Sequence, residues 1–263
     1  TFNTGSQANY TTTVSCTGAT ASSSTLPATF TMPDNDVTCT YTNARVNRTL
    51  TLVKQWTNGK TGDQITVTTT GLTNNATVSS TSTGSNQTTG SAVSNVPGAT
   101  VTLPAETFNT GSQANYTTTV SCTGATASSS TPGPNTTFVM PDGNVVCTYT
   151  NTRVNRNLTL VKQWVNGAVG DQISVTTQSS GNNATVGSTS TGNNQTTGSA
   201  ASVVPGTVVT LPAETFGVGT QANYTTTVSC TGVTLPPPGV PGASFTMPDG
   251  EVTCTYTNTR RSA

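Results

Sequence analysis

The chain has 263 residues, 7% of them charged, with nine basic residues against nine acidic ones and no histidine. A net charge near zero leaves no electrostatic footprint for nucleic acid or for an anionic membrane, and no apolar run is long enough to span a bilayer. Only 31% of residues are hydrophobic, yet they sit in short alternating runs among β-branched Thr and Val, which points to thin β-structure rather than disorder or helix.

The chain repeats itself. Leu158-Thr159-Leu160-Val161-Lys162-Gln163-Trp164 copies Leu50-Thr51-Leu52-Val53-Lys54-Gln55-Trp56, and residues 1–25 recur unchanged at 107–131. Three segments follow: 1–48, which matches only the second half of a repeat, and two complete repeats at 49–156 and 157–263. Tandem copies of this kind build extended objects from one folded unit. With no initiator Met and a start halfway through its own unit, the chain reads as an excerpt of a longer secreted array. A processed mature end is the other reading.

In the partial segment, Pro33-Asp34-Asn35 marks a turn whose counterparts are Pro141-Asp142-Gly143 and Pro248-Asp249-Gly250. In the first complete repeat, Leu50 to Trp56 is an opening strand. Successive side chains in a strand point to opposite faces, so Leu50, Leu52, Lys54 and Trp56 share one face. The segment from Cys147 to Leu158 contains no Gly/Ser or Pro-rich linker. The last strand of one repeat therefore runs almost straight into the next, which predicts a fairly stiff rod.

In the second complete repeat, Leu158 to Trp164 is again the first strand, followed by a turn region to Asp171 and a second strand from Gln172 to Thr177. Asn183 to Thr189 reads as a polar, edge-like third strand, and 193–199 as a Thr/Asn/Gly loop. Val203 to Leu211 is buried but broken at Pro205-Gly206. Tyr224 to Cys230 alternates, and 245–258 reads as a hairpin turning at Pro248-Asp249-Gly250. About seven short strands in each complete repeat make an antiparallel β-sandwich.

The six cysteines fall as one pair per segment: Cys16 with Cys39, Cys122 with Cys147, Cys230 with Cys254. The absence of CxxC and of histidine speaks against a zinc site, and a disulfide within each segment is the expected reading. It implies an oxidising, extracellular compartment. Closing such a loop is worth about 3–3.5 kcal/mol in the chain-entropy model.

Two polar residues fall on apolar faces. Lys54 and Lys162 share theirs with leucines and a tryptophan. Asn151 follows Val145, Cys147 and Tyr149 on one face of the last strand, as Asn258 follows Val252, Cys254 and Tyr256. Together with Val-Thr-Leu followed by Glu, Val-Ser-Cys-Thr-Gly and the closing Cys-Thr-Tyr-Thr-Asn, this order of motifs resembles the prealbumin-like (Ig-like) repeats related to SpaA and Cna-B. Such repeats occur in bacterial surface adhesins, pilins and large secreted proteins. The resemblance spans each complete repeat.

In many Cna-B-like domains a first-strand Lys and a last-strand Asn join in an intramolecular isopeptide bond assisted by a buried acid. The resemblance places that chemistry on Lys54, Asn151 and Glu106, and on Lys162, Asn258 and Glu214; Asn43 has no Lys in its own half-unit. A neutral amine would attack the carboxamide carbon while a protonated Glu polarises the oxygen. Glu214 falls out of phase with Val209 and Leu211, so this arrangement calls for a bulge at Pro212-Ala213. In the alternative reading, Lys54 and Lys162 reach water at the sheet rim and Asn151 and Asn258 simply end a strand.

Other features carry less. Asn75-Ala76-Thr77, Asn115-Tyr116-Thr117 and Asn183-Ala184-Thr185 match the N-glycosylation pattern in a chain where abundant Asn and Thr generate it by chance. O-linked sugar on the Ser/Thr loops is equally open. Asp63 and Asp171 read as turn residues, and Trp56 and Trp164 as core anchors. No nucleophilic triad, metal site or cofactor site is expected.

The expected function is a structural segment of an extracellular bacterial surface filament or adhesin stalk, not an enzyme. Its expected partners are neighbouring repeats or identical subunits, with no nucleic acid and no direct membrane insertion. The alternatives are a glycan- or host-surface-binding module using loops such as 193–196, and a filament subunit assembled by strand donation.

Overall fold

The computed structural model describes residues 1–262 and consists of strands and connecting turns, with three short 3-10 turns as its helical elements. It divides into two compact units: Thr1–Ser112 with Thr118–Asn151, and Gln113–Thr117 with the chain from Thr152 on.

The partial segment contributes β1 (Tyr10–Thr17) and β2 (Thr38–Arg45). The first complete repeat contributes β3 (Arg48–Thr57), β4 (Gln64–Thr68), β5 (Thr77–Thr81), β6 (Gln87–Thr89), β7 (Val93–Asn95), β8 (Thr100–Thr102), β9 (Thr107–Thr110), β10 (Tyr116–Thr123), β11 (Thr137–Val139) and β12 (Val145–Arg153). The second contributes β13 (Arg156–Val165), β14 (Gln172–Thr176), β15 (Thr185–Thr189), β16 (Gln195–Thr197), β17 (Ala201–Val203), β18 (Val208–Thr210), β19 (Thr215–Val218), β20 (Tyr224–Thr231), β21 (Ser244–Thr246) and β22 (Val252–Arg260).

In the second unit the large sheet runs β16-β13-β22-β20, with β17 also on β13. Facing elements are the three-stranded sheet β15-β14-β19 and the pair β18-β21. The first complete repeat follows the same plan: β10-β12-β3-β6 with β7 on β3, then β5-β4-β9 and β11-β8. The result is a β-sandwich, held almost wholly by antiparallel pairing. In the second repeat β13 and β22, its first and last strands, instead lie parallel from Leu158↔Val252 to Val165↔Thr259. A parallel pair needs a long crossover, and here the rest of the repeat supplies it.

The strands form for local reasons and close for tertiary ones. β20 reads Tyr-Thr-Thr-Thr-Val-Ser-Cys-Thr, where β-branched and aromatic residues favour the extended chain. Tyr224 and Val228 turn inward, while Thr225, Thr227 and Ser229 face out. Val228 joins Leu158, Leu160, Val186, Val209, Leu211, Phe245 and Met247 in the main core, and Tyr224 packs with Trp164 and Ile173 in a second cluster. Trp164 anchors one end, its Nε1–H donating to Ser188 Oγ at 3.0 Å, which satisfies the indole inside an apolar site.

Three expectations from the sequence need correction. Residues 245–258 are no hairpin: β21 pairs with β18 and β22 with β13 and β20, so the Pro248-Asp249-Gly250 turn carries the chain from one sheet to the other. The polar stretch 193–199 contains β16, paired to β13 from Val161↔Thr197 to Gln163↔Gln195. Each complete repeat has ten strands rather than seven, because several are only three residues long and too short to leave a period in the sequence.

Candidate functional site

All three cysteine pairs form disulfides with Cα atoms 4.1 Å apart. Cys16 lies directly opposite Cys39, and Cys230 opposite Cys254. Each bond therefore ties the last strand of a segment to the strand beside it.

The polar site is built from three elements. The first strand brings Lys54 or Lys162 into the core beside the leucines, and both are 0% exposed. The last strand brings Asn151 or Asn258, also 0% exposed. In the second unit these strands are neighbours, with Lys162 opposite Tyr256 and Trp164 opposite Asn258, so Lys and Asn stand one step apart along a shared face. Neither lysine reaches the rim, which rules out the alternative of an ammonium in water.

The third element is the acid, and its placement departs from expectation. No bulge restores the phase of Glu214. β18 ends at Thr210, the chain leaves its partner β21, and it resumes as β19 against β14. The four residues Leu211 to Glu214 span that change of sheet, so strand parity does not apply to them. Tyr256 Oη donates to the carbonyl of Pro212 at 2.8 Å, and Tyr149 Oη to that of Pro104 at 3.0 Å. Each tyrosine sits two residues before the site asparagine and pins the crossing segment that carries the acid.

Glu106 bridges the other two groups. Its Oε1 is 2.6 Å from Lys54 Nζ, and its Oε2 accepts from Asn151 Nδ2 at 2.7 Å. The Glu214 carboxylate accepts from Asn258 Nδ2 at 2.7 Å, and Lys162 Nζ lies 2.6 Å from Oε1 as an ion pair whose angle falls short of a hydrogen bond. All four side chains of the two ion pairs are fully buried. The ammonium also sits 4.8 Å from the ring centroid of Trp56 or Trp164.

Two residues were missed from the sequence. Thr118 Oγ1 donates to Asn151 Oδ1 and Thr226 Oγ1 to Asn258 Oδ1, each at 2.6 Å. Both threonines lie in Tyr-Thr-Thr-Thr runs, where nothing distinguishes one hydroxyl from its neighbours; only the cross-strand register Thr226↔Asn258 selects it. In the partial segment, Thr12 Oγ1 makes the same bond to Asn43 Oδ1 at 2.5 Å, but Asn43 is exposed.

Burial pushes both lysines down to about 8, with the attraction of Glu106 or Glu214 opposing part of that shift. Removal from water likewise raises the Tyr149 and Tyr256 hydroxyls well above the usual phenol range. A buried ion pair seldom stabilises more than apolar side chains of the same volume would. The same buried pair is present in both complete repeats.

Asp171 is buried and accepts from Tyr224 Oη at 2.6 Å. Trp56 and Trp164 are fully buried, and Asn75 and Asn183 lie exposed. In the 193–196 stretch, Asn194 commits its amide to its own turn, accepting from Thr191 N and donating to Thr189 O. Among the described residues no cluster of three or more acidic, Cys or His side chains is placed to hold a metal ion, and no helix is long and apolar enough to cross a membrane.

No curated protein sequence matches the chain. Solved structures similar to it include the major pilin of Streptococcus pyogenes, at 17% identity and a TM-score of 0.32 over 81% of this chain and 98% of that one. The Bacillus anthracis TIE protein matches at 12% identity and a TM-score of 0.39, over 94% of this chain and 42% of that one. The pilus adhesin SpaC of Lactobacillus rhamnosus GG matches at 13% identity and a TM-score of 0.25, over 86% and 33%. These likenesses are too distant to bear on function. The SpaA-type prealbumin-like fold domain matches three times, over residues 3–45, 49–153 and 157–260. With nearly its whole length matched, the chain belongs to the family of SpaA-type prealbumin-like fold domains.

Proposed function

We propose that this chain is a load-bearing segment of an extracellular bacterial surface filament or adhesin stalk, in which each complete repeat, 49–156 and 157–263, closes a covalent Lys–Asn cross-link. The observation that carries this reading is the buried Lys–Glu–Asn contact that joins first and last strands in both complete repeats. Disulfides in all three segments favour an oxidising, extracellular setting.

The chemistry balances without a cofactor. The Glu106 Oε1 atom takes a proton from Lys54 Nζ, leaving a neutral amine whose lone pair attacks Asn151 Cγ. Negative charge develops on Oδ1, where the Thr118 hydroxyl donates; this reading gives the polarising role to threonine instead of glutamate. The carboxyl returns that proton through Oε2 to Nδ2, the C–N bond breaks and ammonia leaves; the freed carboxylate takes the second proton from the former lysine nitrogen, leaving a neutral amide and a protonated Glu106. Lys162, Glu214, Asn258 and Thr226 repeat the scheme. The fold supplies the proximity, and the depressed lysine makes the neutral amine accessible near pH 8.

The mechanical value follows from topology. The cross-linked residues lie close to where the chain enters and leaves a repeat, so a pulling force would pass through the bond and bypass the sandwich. Parallel alignment of β13 and β22 adds shear resistance along the same line.

Intact-mass measurement tests the proposal. After accounting for disulfides, the chain is expected to be lighter by two ammonia molecules, about 17 Da each, and Lys162→Ala by only one. An unshifted mass rejects the cross-link. Strand donation has one observation behind it, the exposed apolar side chains of the partial segment: Phe30 and Met32 between β1 and β2, and Tyr41 on β2. It predicts concentration-dependent oligomers in light scattering, and a strictly monomeric chain rejects it.

A further inference from the structure

The short connection between segments carries the same four residues twice: Arg45-Val46-Asn47-Arg48 and Arg153-Val154-Asn155-Arg156. In each case the two arginines reach in opposite directions along the chain. Within the first unit, Arg45 Nε and Nη2 donate to Asp142 Oδ1 and Oδ2 at 2.9 and 2.7 Å, and Nη1 to the carbonyl of Pro97 at 3.4 Å. Within the second unit, Arg153 makes the same contacts to both oxygens of Asp249 at 2.9 Å and to the carbonyl of Pro205 at 3.2 Å. Arg48 Nη2 reaches back to Ala8 O and Asn9 Oδ1, and Arg156 Nη2 to Ala114 O and Asn115 Oδ1. Between them, Val46 N donates to Asn9 O and Val154 N to Asn115 O, each at 2.9 Å.

The acceptor side is assembled from two turns that are far apart in sequence. Gly98 N donates to Met140 O and Gly206 N to Met247 O, each at 2.7 Å, which holds the Pro-Gly turn beside the Pro-Asp turn. Gly98 and Gly206 adopt φ of +101° and +94°, a left-handed conformation that glycine tolerates best. A carboxylate and a carbonyl held in this way match the planar fork of a guanidinium, which a lysine cannot reproduce.

We propose that these turns form a guanidinium receptor on each complete repeat, and that its ligand is the arginine ending the last strand of the preceding repeat. The receptor reads chain order: it accepts the end of a Thr-Asn-x-Arg strand and holds the junction peptide down. The second copy is the more enclosed, with Arg153 and Asp249 side chains 9% and 18% exposed against 38% and 34% for Arg45 and Asp142. Arg260 follows Asn258-Thr259 at the end of β22 as Arg153 follows Asn151-Thr152, and it is exposed. It presents the same key to the receptor of one further repeat of this type. The inference does not depend on the Lys–Asn cross-link.

Limited trypsin digestion of the oxidised full chain tests it, because proteolysis of a held segment follows its local opening. Asp249→Asn keeps the Arg153–Val154 bond cleavable and removes the receptor charge. It is expected to speed cleavage there by about tenfold or more, with Asp34→Asn causing no change at that bond. Arg153→Lys keeps a tryptic site and the charge but not the fork, and is expected to speed cleavage at the same bond. A melting curve of each variant separates release of the junction from loss of the fold. If both variants fold and the bond opens no faster, the receptor is overturned. Extending the chain after Arg260 with a further copy of residues 154–260 is expected to slow cleavage at Arg260 to the rate at Arg153. Cleavage as fast as in the unextended chain overturns the Arg260 assignment.

Discussion

The pair β1–β2 and the pair β20–β22 have nearly the same sequence and opposite fates. Both contain Tyr-Thr-Thr-Thr-Val-Ser-Cys-Thr, both run antiparallel through eight facing residue pairs, and both hold a disulfide between directly opposed cysteines. Even the Thr-to-Asn hydrogen bond is present in each. Yet Tyr41 is 65% exposed where Tyr256 is 0%, and Met32 66% where Met247 is 1%. The pairing and the staple are local properties of the second half of a repeat. Burial, and with it the polar site, requires the first half, whose opening strand brings the lysine and covers the apolar face.

That contrast can be broken most forcefully with a reductant. An isolated two-stranded ribbon is marginal in water, so reducing Cys16–Cys39 is expected to abolish amide-exchange protection in β1 and β2. Reducing Cys230–Cys254 is expected to cost about 3.4 kcal/mol while β20 and β22 remain protected by their core. Equal behaviour of the two pairs would mean that burial matters less than the comparison implies.

A smaller perturbation sharpens it. Met247→Ala removes a fully buried side chain and is expected to destabilise by about 2–5 kcal/mol, whereas Met32→Ala at the matching exposed position is expected to stay within about 0.5 kcal/mol. Denaturant titration of the two variants measures both.

The smallest expected effect concerns acid. The Arg45 guanidinium hydrogen-bonded to Asp142 holds that carboxyl below its usual range. Its contribution is present above the unfolded carboxylate value of about 3.9 and is lost as pH falls through the lower folded value. The junction is exposed, so the change is modest. Thermal melts between pH 6 and pH 3 are expected to lose slightly more stability in the parent chain than in Asp142→Asn.

Much of the polar site was legible because strand alternation is geometric. Leu50, Leu52, Lys54 and Trp56 had to share a face, and Tyr149 and Asn151 likewise, once those segments were strands. Glu214 was legible only by resemblance, since its position depends on a change of sheet that local parity does not encode. Thr118 and Thr226 were invisible, because a hydroxyl in a run of threonines is selected by its partner strand. The supposed hairpin at 245–258 failed for a related reason: a strong turn signal gives a reversal of direction, not the sheet in which the next strand lies.

By itself the sequence determined the repeat frame, the cysteine partners, the all-β character and the inward residues of the longer strands, because all of these rest on composition, spacing and a period of two. The tertiary structure decided which strands are neighbours, and so placed first and last strands in parallel contact, Glu106 and Glu214 between a lysine and an asparagine, and Arg45 and Arg153 on carboxylates about a hundred residues away. Those outcomes depend on crossovers and on closing a common core, which are properties of the whole repeat and leave no mark on any short stretch of chain.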